Sequence, residues 1–192
     1  MRATVPLDRA YLLLNHGPTV LVSSAHAGRR NVMAAAWACV LDFAPPKLTV
    51  VIDAKTYTRE LVEASGEFVL NLPCRAIAET VVAVGSESGR DAGDKFARHG
   101  LATCPASRVA APLVEACVAW LECRLLPEPQ MQKKYDLFLA EVVAAWADER
   151  VFSQGRWHFD DPQLATIHHV SGGRFFATGE AFATAQKAPK DD

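Results

Sequence analysis

The strongest constraint on the fold of this chain is a set of short, apolar and β-branched runs that each end at a turn signal. Residues 19–23 are one such run, and residues 47–52 form another directly after Pro45-Pro46. Residues 67–72 form a third, which Pro73 stops. Runs of this length and composition are typical of β-strands, and prolines are typical of the breaks between strands.

The segments between these runs do not follow the regular β-α-β alternation of a parallel sheet, and the sequence has no internal repeat. Two short helices are predicted, over residues 58–65 and 76–84. The first has a threonine as its N-cap and Gly66 just past its end, and the second has apolar residues at three- and four-residue spacing. The polar, glycine-rich residues 85–93 predict an exposed loop, and residues 94–98 predict one helical turn.

Three alanine-rich segments fit either a strand or a helix. Residues 31–41 stand where a hairpin partner of the first strand would lie, although three consecutive alanines favour a helix. Residues 114–126 and 135–146 are long and apolar, and the turn-rich residues between them predict a β-hairpin with a wide loop; helices remain an alternative for both. Together the segments predict a mainly β barrel with short helices.

Length and composition limit the organisation and the partners of the chain. Its 192 residues fit a single domain over residues 1–182, followed by a flexible polar tail over residues 183–192. With 20 Lys and Arg against 22 Asp and Glu, it has no basic excess for nucleic acid or an anionic membrane. No uncharged run approaches the about 20 residues that span a bilayer. Five cysteines without a C-x-x-C pair fit a reduced, cytoplasmic protein whose cysteines act as small core side chains.

Several blocks in a fixed order carry a family resemblance. The segment Asn31-Val-Met-Ala-Ala-Ala-Trp37 is similar to the N-x-M-x-x-x-W stretch of the flavoredoxin-like branch of the flavin reductase family. The strand after Pro45-Pro46, residues 55–62 and residues 66–73 follow in the family's order, and Asp94-Lys95-Phe96 adds a further match. Beyond residue 113 the match is looser and rests on residues 135–142 and 172–175.

The resemblance implies an FMN-binding split β-barrel that forms a homodimer, with the flavin sites between the two subunits. We take FMN as the expected cofactor and NADH or NADPH as its electron donor, with a small molecule or a protein as the acceptor. The candidate cofactor-binding residues are Asn31, Met33, Ala34, Ala35, Ala36, Trp37, Lys55, Thr56, Tyr57, Thr58, Asn71, Ser86, Ser88, Gly89, Lys95 and Phe96.

The side chains of these blocks suit the two ends of FMN. Alanines 34–36 would let a strand approach the flat ring, and Trp37 would wall the slot; a tight core strand with a buried tryptophan is the alternative. Residues 55–58 offer an ammonium, hydroxyls and backbone N–H groups at a helix start, as a phosphate requires, although an ordinary helix cap would look the same. Lys95 offers a second positive charge.

Two further features of the candidate set keep alternatives open. The glycine-rich loop with Ser86, Ser88 and Gly89 either cradles the phosphate or ribityl chain or is a plain surface turn. Asn71 either bonds the strand or turn that carries the site or simply ends a strand before Pro73.

The sequence also departs from the family. It has no Gly-Asp-His motif, which related reductases associate with nicotinamide use, and Phe175 and Phe176 stand where relatives often have tyrosine. The leading hypothesis is an oxidoreductase without a catalytic side chain, in which flavin supplies the chemistry. A non-turnover FMN carrier or flavin store and a flavin-free structural dimer are the alternatives.

Two aromatic and histidine groups remain ambiguous. Trp120, Phe138 and Trp146 are candidates for the dimer face or for the core. His168-His169 predicts no metal site, because adjacent strand residues face opposite ways.

Overall fold

The protein, represented by a computed structural model, is described over residues 1–184, so most of the predicted tail lies outside the described residues. In this part of the chain the strands are β1 (Arg2–Thr4), β2 (Val20–His26), β3 (Arg29–Ala35), β4 (Ala38–Phe43), β5 (Pro46–Val51), β6 (Glu67–Leu72), β7 (Thr103–Cys104), β8 (Leu113–Val114), β9 (Ala119–Leu126), β10 (Leu137–Asp148), β11 (Phe152–Ser153), β12 (Arg156–Trp157), β13 (Ile167–Ser171) and β14 (Arg174–Ala177). The α-helices are α1 (Tyr11–Leu14), α2 (Tyr57–Ser65), α3 (Ala78–Gly85), α4 (Gly89–Ala92), α5 (Lys95–Arg98) and α6 (Pro129–Tyr135). The prediction of a mainly β fold with short helices is confirmed.

The main sheet joins its two edges through a link of two residues. Its antiparallel strands run in the order β3-β2-β6-β9-β10-β5-β4. Laid flat, this sheet would hold its edge strands about 29 Å apart, because neighbouring strands lie about 4.8 Å apart. The chain passes from β3 to β4 through Ala36 and Trp37 alone, and three Cα–Cα steps span at most about 11 Å. The sheet therefore has to curl into a barrel whose edges meet at this link.

The barrel opens along β10. The first part of this strand pairs with β5 as far as Glu141, and β1 takes the place of β5 from Trp146 onward. On its other side β10 pairs with β9 over most of its length, with one register shift between Val142 and Ala144. This arrangement is the split barrel that the family resemblance implies.

Side chains alternate between the two faces of each strand, so the main sheet contributes to two apolar clusters, one inside the barrel and one outside it. In β2, Val20 and Val22 point into the barrel, whereas Leu21 points to a second cluster outside it. In β6, Phe68 belongs to the inner cluster and Val69 to the outer one. The outer cluster is covered by α3, α5 and the segment around β8, so this part of the sheet is buried on both faces.

Most predicted elements exist, with boundary differences that have local causes. Residues 31–41 are extended and not helical, but the link at Ala36-Trp37 divides them between β3 and β4. The predicted hairpin is the β9–β10 pair, and its wide loop contains α6. Helix α2 begins one residue earlier than predicted, since the cap is Thr56. The predicted exposed loop over 85–93 includes α4 and is partly buried.

The structure decides between the alternatives left open for the aromatic residues, and it corrects the prediction for one cysteine. Trp120 is 4% exposed and Phe138 is fully buried, so both are core residues in this chain and are not available to a partner. Trp146 is half-buried and its indole N–H donates to Glu122. Cys39 is exposed on β4 and is not a core residue.

A buried carboxylate holds the segment that precedes β8. The side chain of Glu122 is fully buried in β9. It accepts hydrogen bonds from the amide of Ser107 at 3.0 Å, from the amide of Arg108 at 2.6 Å and from the indole of Trp146 at 2.8 Å. Since a buried charge is stable only when donors surround it, this loop and this strand depend on each other.

We predict that Glu122→Ala lowers the free energy of unfolding by about 3 kcal/mol, because it leaves buried donors without an acceptor. Urea unfolding followed by circular dichroism measures the change. The matched control is Glu149→Ala, whose side chain is 56% exposed and for which a change within about 0.5 kcal/mol is expected. Equal stability of the two variants would contradict this role.

Candidate functional site

Two clefts lie on either side of the end of β3, and residues 34–36 line both. The first, of about 350 Å³, lies between this strand end and α3; the second, of about 380 Å³, lies towards β5 and α6. Both volumes fall within the range of small-molecule sites, which is about 300–1,000 Å³. The remaining lining residues of the first cleft are Thr19, Val81, Val82, Gly85, Ser86, His169, Gly172, Gly173 and Phe175. Those of the second cleft are Met33, Trp37, Val51, Asp53, Tyr135, Asp136 and His169.

The wall between the two clefts is made of small side chains. Alanines 34–36 expose the backbone of the strand end, so a flat ring can approach it closely. Trp37 is 74% exposed and lines the second cleft, which rules out the alternative of a buried tryptophan. This geometry agrees with a slot for a planar apolar group.

The start of α2 supplies the groups that an anion requires. Thr56 caps the helix: its hydroxyl accepts from the amide of Arg59 at 3.3 Å and donates to the carbonyl of Asp53 at 2.8 Å. The first-turn amides of Tyr57 and Thr58 have no acceptor within the helix, and the helix dipole is positive at this end. Lys55 is exposed and has no ion-pair partner among residues 1–184.

Asn31 connects β3 to this helix start. Its side chain is buried, and its amide donates to the hydroxyl of Thr58 at 2.8 Å. Its Oδ1 atom is buried without a donor in the described structure. Gly89 packs directly against it, because a Cβ built on this glycine would lie 2.3 Å from Asn31 Oδ1 and 2.8 Å from the ring of Tyr57. Only glycine fits at this contact.

The loop between α3 and α5 is fastened to both the cleft and the helix start. Ser86 lines the first cleft and donates to the carbonyl of Val82 at 2.7 Å, whereas Ser88 caps α4. Arg90 donates to the carbonyl of Lys55 at 2.7 Å and forms an ion pair with Glu60. The loop therefore brings the predicted ring and phosphate groups into one region.

Lys95 lies inside this loop and is not on the surface. Its ammonium donates to the carbonyls of Val84 at 2.7 Å and Glu87 at 3.0 Å, and burial lowers its pKa to about 8, with Glu87 acting in the opposite direction. Two of its three N–H groups are thus occupied in shaping the loop. A direct contact of the third with a phosphate stays a prediction.

Ten members of the candidate set line neither cleft: Asn31, residues 55–58, Asn71, Ser88, Gly89, Lys95 and Phe96. Asn71 is fully buried, and its amide bonds the carbonyl of Leu21 and the hydroxyl of Ser23, both at 3.0 Å, while its oxygen accepts from the amide of Val114 at 2.8 Å. Phe96 is a core residue of the outer cluster. Asn71 therefore bonds the strands that carry the site, which is one of its two predicted roles, and a direct cofactor contact of Asn71 or Phe96 stays a prediction.

The structure also adds residues that sequence reasoning missed. His169 and Phe175 lie opposite each other on β13 and β14 and line the first cleft. Arg29 lies over the ring of Tyr57, with 5.9 Å from the guanidinium carbon to the ring centroid. The Gly-Gly-Arg-Phe block at residues 172–175 was the available signal for the hairpin, but nothing in it identified which histidine faces the cleft.

A larger cleft of about 690 Å³ lies elsewhere, between the N-terminal residues 3–6 and the β11–β12 turn. It contains none of the predicted site residues. The smaller clefts are the better candidates, because six of the predicted residues line them: Met33, Ala34, Ala35, Ala36, Trp37 and Ser86.

Over residues 1–184, no three His, Cys, Asp or Glu side chains lie close enough together to hold a metal ion. None of the helices in the same range is both long enough and apolar enough to pass through a bilayer.

Comparison with known proteins gives consistent matches over almost the whole chain. The family model for the flavin reductase like domain matches residues 13–165. The protein YddH of Escherichia coli K12 is 48% identical over 179 residues, which are 92% of this chain and 94% of YddH.

Solved structures agree with the family match. An FMN-binding domain of a flavin reductases-like enzyme from Shewanella baltica is 50% identical, with a TM-score of 0.93 and 96% and 97% of the two chains covered. Flavoredoxin of Desulfovibrio vulgaris is 29% identical, with a TM-score of 0.78 over 91% of this chain and 93% of the flavoredoxin. The chain thus belongs to the flavin reductase like domain family.

Proposed function

We propose that this chain is an FMN-binding flavoprotein oxidoreductase that passes electrons from NADH or NADPH through FMN to an acceptor. The observation that carries the proposal is the connection of three parts: the strand β3 with its alanine end at residues 34–36, the start of α2 beside Lys55, and the loop that packs Gly89 onto Asn31. The first suits a flat ring, and the other two suit a phosphate and its linker.

The residues present fit FMN on an observation independent of the resemblance. Asn31 Oδ1 is a buried acceptor without a donor, and such an atom costs about 1–3 kcal/mol unless it is satisfied. It lies next to Gly89, where the chain leaves no room for a Cβ. A ligand hydroxyl or ring N–H would supply the missing donor after a small shift of the loop.

In this proposal the protein binds FMN, orients it and shields its ring from solvent. Bound FMN would supply the redox chemistry, which requires no catalytic base or nucleophile from the chain. Trp37 would cover part of the ring, and the alanines would hold it against the strand. Lys55 and Arg29 would balance the phosphate charge, since neither has an ion-pair partner in the described range.

The similar proteins support the binding of FMN more strongly than they support electron transfer from NADH or NADPH. The Shewanella baltica protein is described as FMN-binding, and the Desulfovibrio vulgaris protein as a flavoredoxin. A second candidate function, a non-turnover electron carrier or flavin store, is favoured by one observation: the absence of a Gly-Asp-His motif.

Turnover separates these two functions. We expect the FMN-loaded protein to oxidise NADH or NADPH when excess free FMN is present as the acceptor, and the absorbance of the reduced nucleotide follows this reaction. A protein that binds FMN but oxidises neither nucleotide would contradict the reductase and favour the carrier. In that case, addition of a separate flavin reductase should restore electron transfer to a downstream acceptor.

The phosphate end of the site makes a sharper prediction. Lys55→Gln should weaken FMN binding about tenfold, because a charge-assisted contact contributes about 1.5–3 kcal/mol, but it should leave riboflavin binding unchanged, since riboflavin has no phosphate. Fluorescence titration of the apoprotein measures both. The matched control is Lys133→Gln, which removes an exposed lysine of α6 and should change neither affinity. Equal losses for FMN and riboflavin would place Lys55 away from the phosphate.

The proposed assembly is a homodimer that covers the outer face of β4. Alternate residues of this edge region, Trp37, Cys39, Leu41 and Phe43, are all apolar and all exposed, with Leu41 at 52% and Phe43 at 60%. Solvated sheet faces normally carry polar side chains at such positions, so this stripe indicates a partner. Because Trp37 also lines the second cleft, a partner that covers the stripe would close the site.

We predict that Leu41→Glu converts a dimer into a monomer, because it places a charge in the centre of the apolar stripe. Sedimentation velocity at micromolar concentration measures this. Phe182→Glu, at a side chain that is 91% exposed outside the stripe, is the control and should remain dimeric. A monomeric wild-type protein would contradict the proposed assembly.

A further inference from the structure

His169 occupies the only position that the two clefts share apart from the alanine wall at residues 34–36, within the described chain. It lies on β13 opposite Phe175 of β14, with 5.4 Å between the two ring centroids. Its backbone amide donates to the hydroxyl of Thr19 at 2.9 Å, which fixes the strand beside the first cleft. His169 therefore borders both clefts, beside the wall at residues 34–36.

The charge around the two clefts makes this histidine unusual. The titratable side chains that line them, within residues 1–184, are Asp53, Tyr135, Asp136 and His169. Asp53 accepts from the amide of Lys55 at 2.7 Å, and Asp136 is paired with Arg59, so both carboxylates already have partners. On β14 the facing residue is the uncharged Phe175. His169 is thus the one lining side chain that can carry a positive charge.

A reducing hydride changes the charge of a flavin ring. It brings two electrons and one proton to the neutral oxidised ring, while the nicotinamide donor is oxidised, and the ring keeps one negative charge unless a further proton is added. A cation near the ring stabilises this charge and raises the reduction potential. A histidine can provide such a cation at about pH 5–8.

We propose that His169 balances the negative charge of the reduced ring, and thereby sets the redox potential of the site. This inference rests on the proposed FMN function. In this role His169 acts through its charge, so it is a binding-site residue that tunes the cofactor and is not an acid catalyst.

The neighbouring histidine holds His169 in place. Residues 168 and 169 face opposite sides of β13, and His168 joins a chain of hydrogen bonds behind the strand. His168 bonds Thr178 at 2.8 Å, Thr178 bonds Thr166 at 2.6 Å, and Thr166 bonds His16 at 2.9 Å. Burial, followed by the proximity of His168, lowers the pKa of His16 to about 4, so His16 stays neutral at physiological pH.

This chain of bonds has one consistent direction. The Nδ1 atom of His168 lies 3.0 Å from the carbonyl of Gly17 and can only donate there. With His168 in its neutral form, its Nε2 atom accepts from Thr178, Thr178 accepts from Thr166, and Thr166 accepts from the Nε2–H of His16. The β13–β14 hairpin is thereby fixed to the loop after α1, and His169 is fixed on the cleft side.

The test is the midpoint potential of bound FMN, with His26→Gln as the matched control on an exposed histidine away from both clefts. His169→Gln should lower the affinity for reduced FMN about tenfold relative to that for oxidised FMN. For a two-electron couple this lowers the potential by about 30 mV. His169→Arg, which places a positive charge at the same position, should keep the potential near that of the wild type.

Three outcomes are decisive. A lower potential in His169→Gln that is absent in His169→Arg and in the control supports the charge role. Equal potentials of His169→Gln and the wild type, or equal weakening of both oxidation states, would overturn it, while the FMN function would stand. A wild-type protein that binds no FMN would overturn both proposals.

Discussion

The two-residue link between opposite edges of the sheet is the constraint on which this structure depends. Because Ala36 and Trp37 have to connect β3 to β4, the sheet cannot stay flat, and its edges converge at this link. The convergence leaves a short stretch of backbone outside the regular ladder, tied by the bond from the amide of Val51 to the carbonyl of Trp37 at 3.0 Å. Small side chains and one exposed tryptophan occupy this link, and the two clefts open on either side of it.

The rest of the site is built around this link by buried polar contacts. Asn31 joins β3 to the start of α2 through Thr58, and the close approach of Gly89 joins the loop to both. Inside the loop, the buried ammonium of Lys95 holds the backbone in place by donating hydrogen bonds to two carbonyls. Such contacts fix a site before a ligand arrives, because each buried polar group limits how far its neighbours can move.

Local signals predicted much of this structure, and long-range contacts account for the rest. Strand β6 matches its prediction because one apolar run ends at Pro73. The bounds of α2 lie within one residue of the predicted ones, because a threonine and Gly66 mark the two ends of this helix. The burial of Asn71 depends on β2 and β8, which are distant in sequence. Residue type alone also cannot show that Trp120 is in the core while Trp37 is exposed.

Titration of the apoprotein with FMN shows whether the clefts beside residues 34–36 bind this cofactor. Flavin fluorescence and visible absorption should both change and should saturate at one FMN per chain. Fluorescence that stays unchanged at micromolar FMN with protein in excess would contradict the claim, whatever the oligomeric state of the protein.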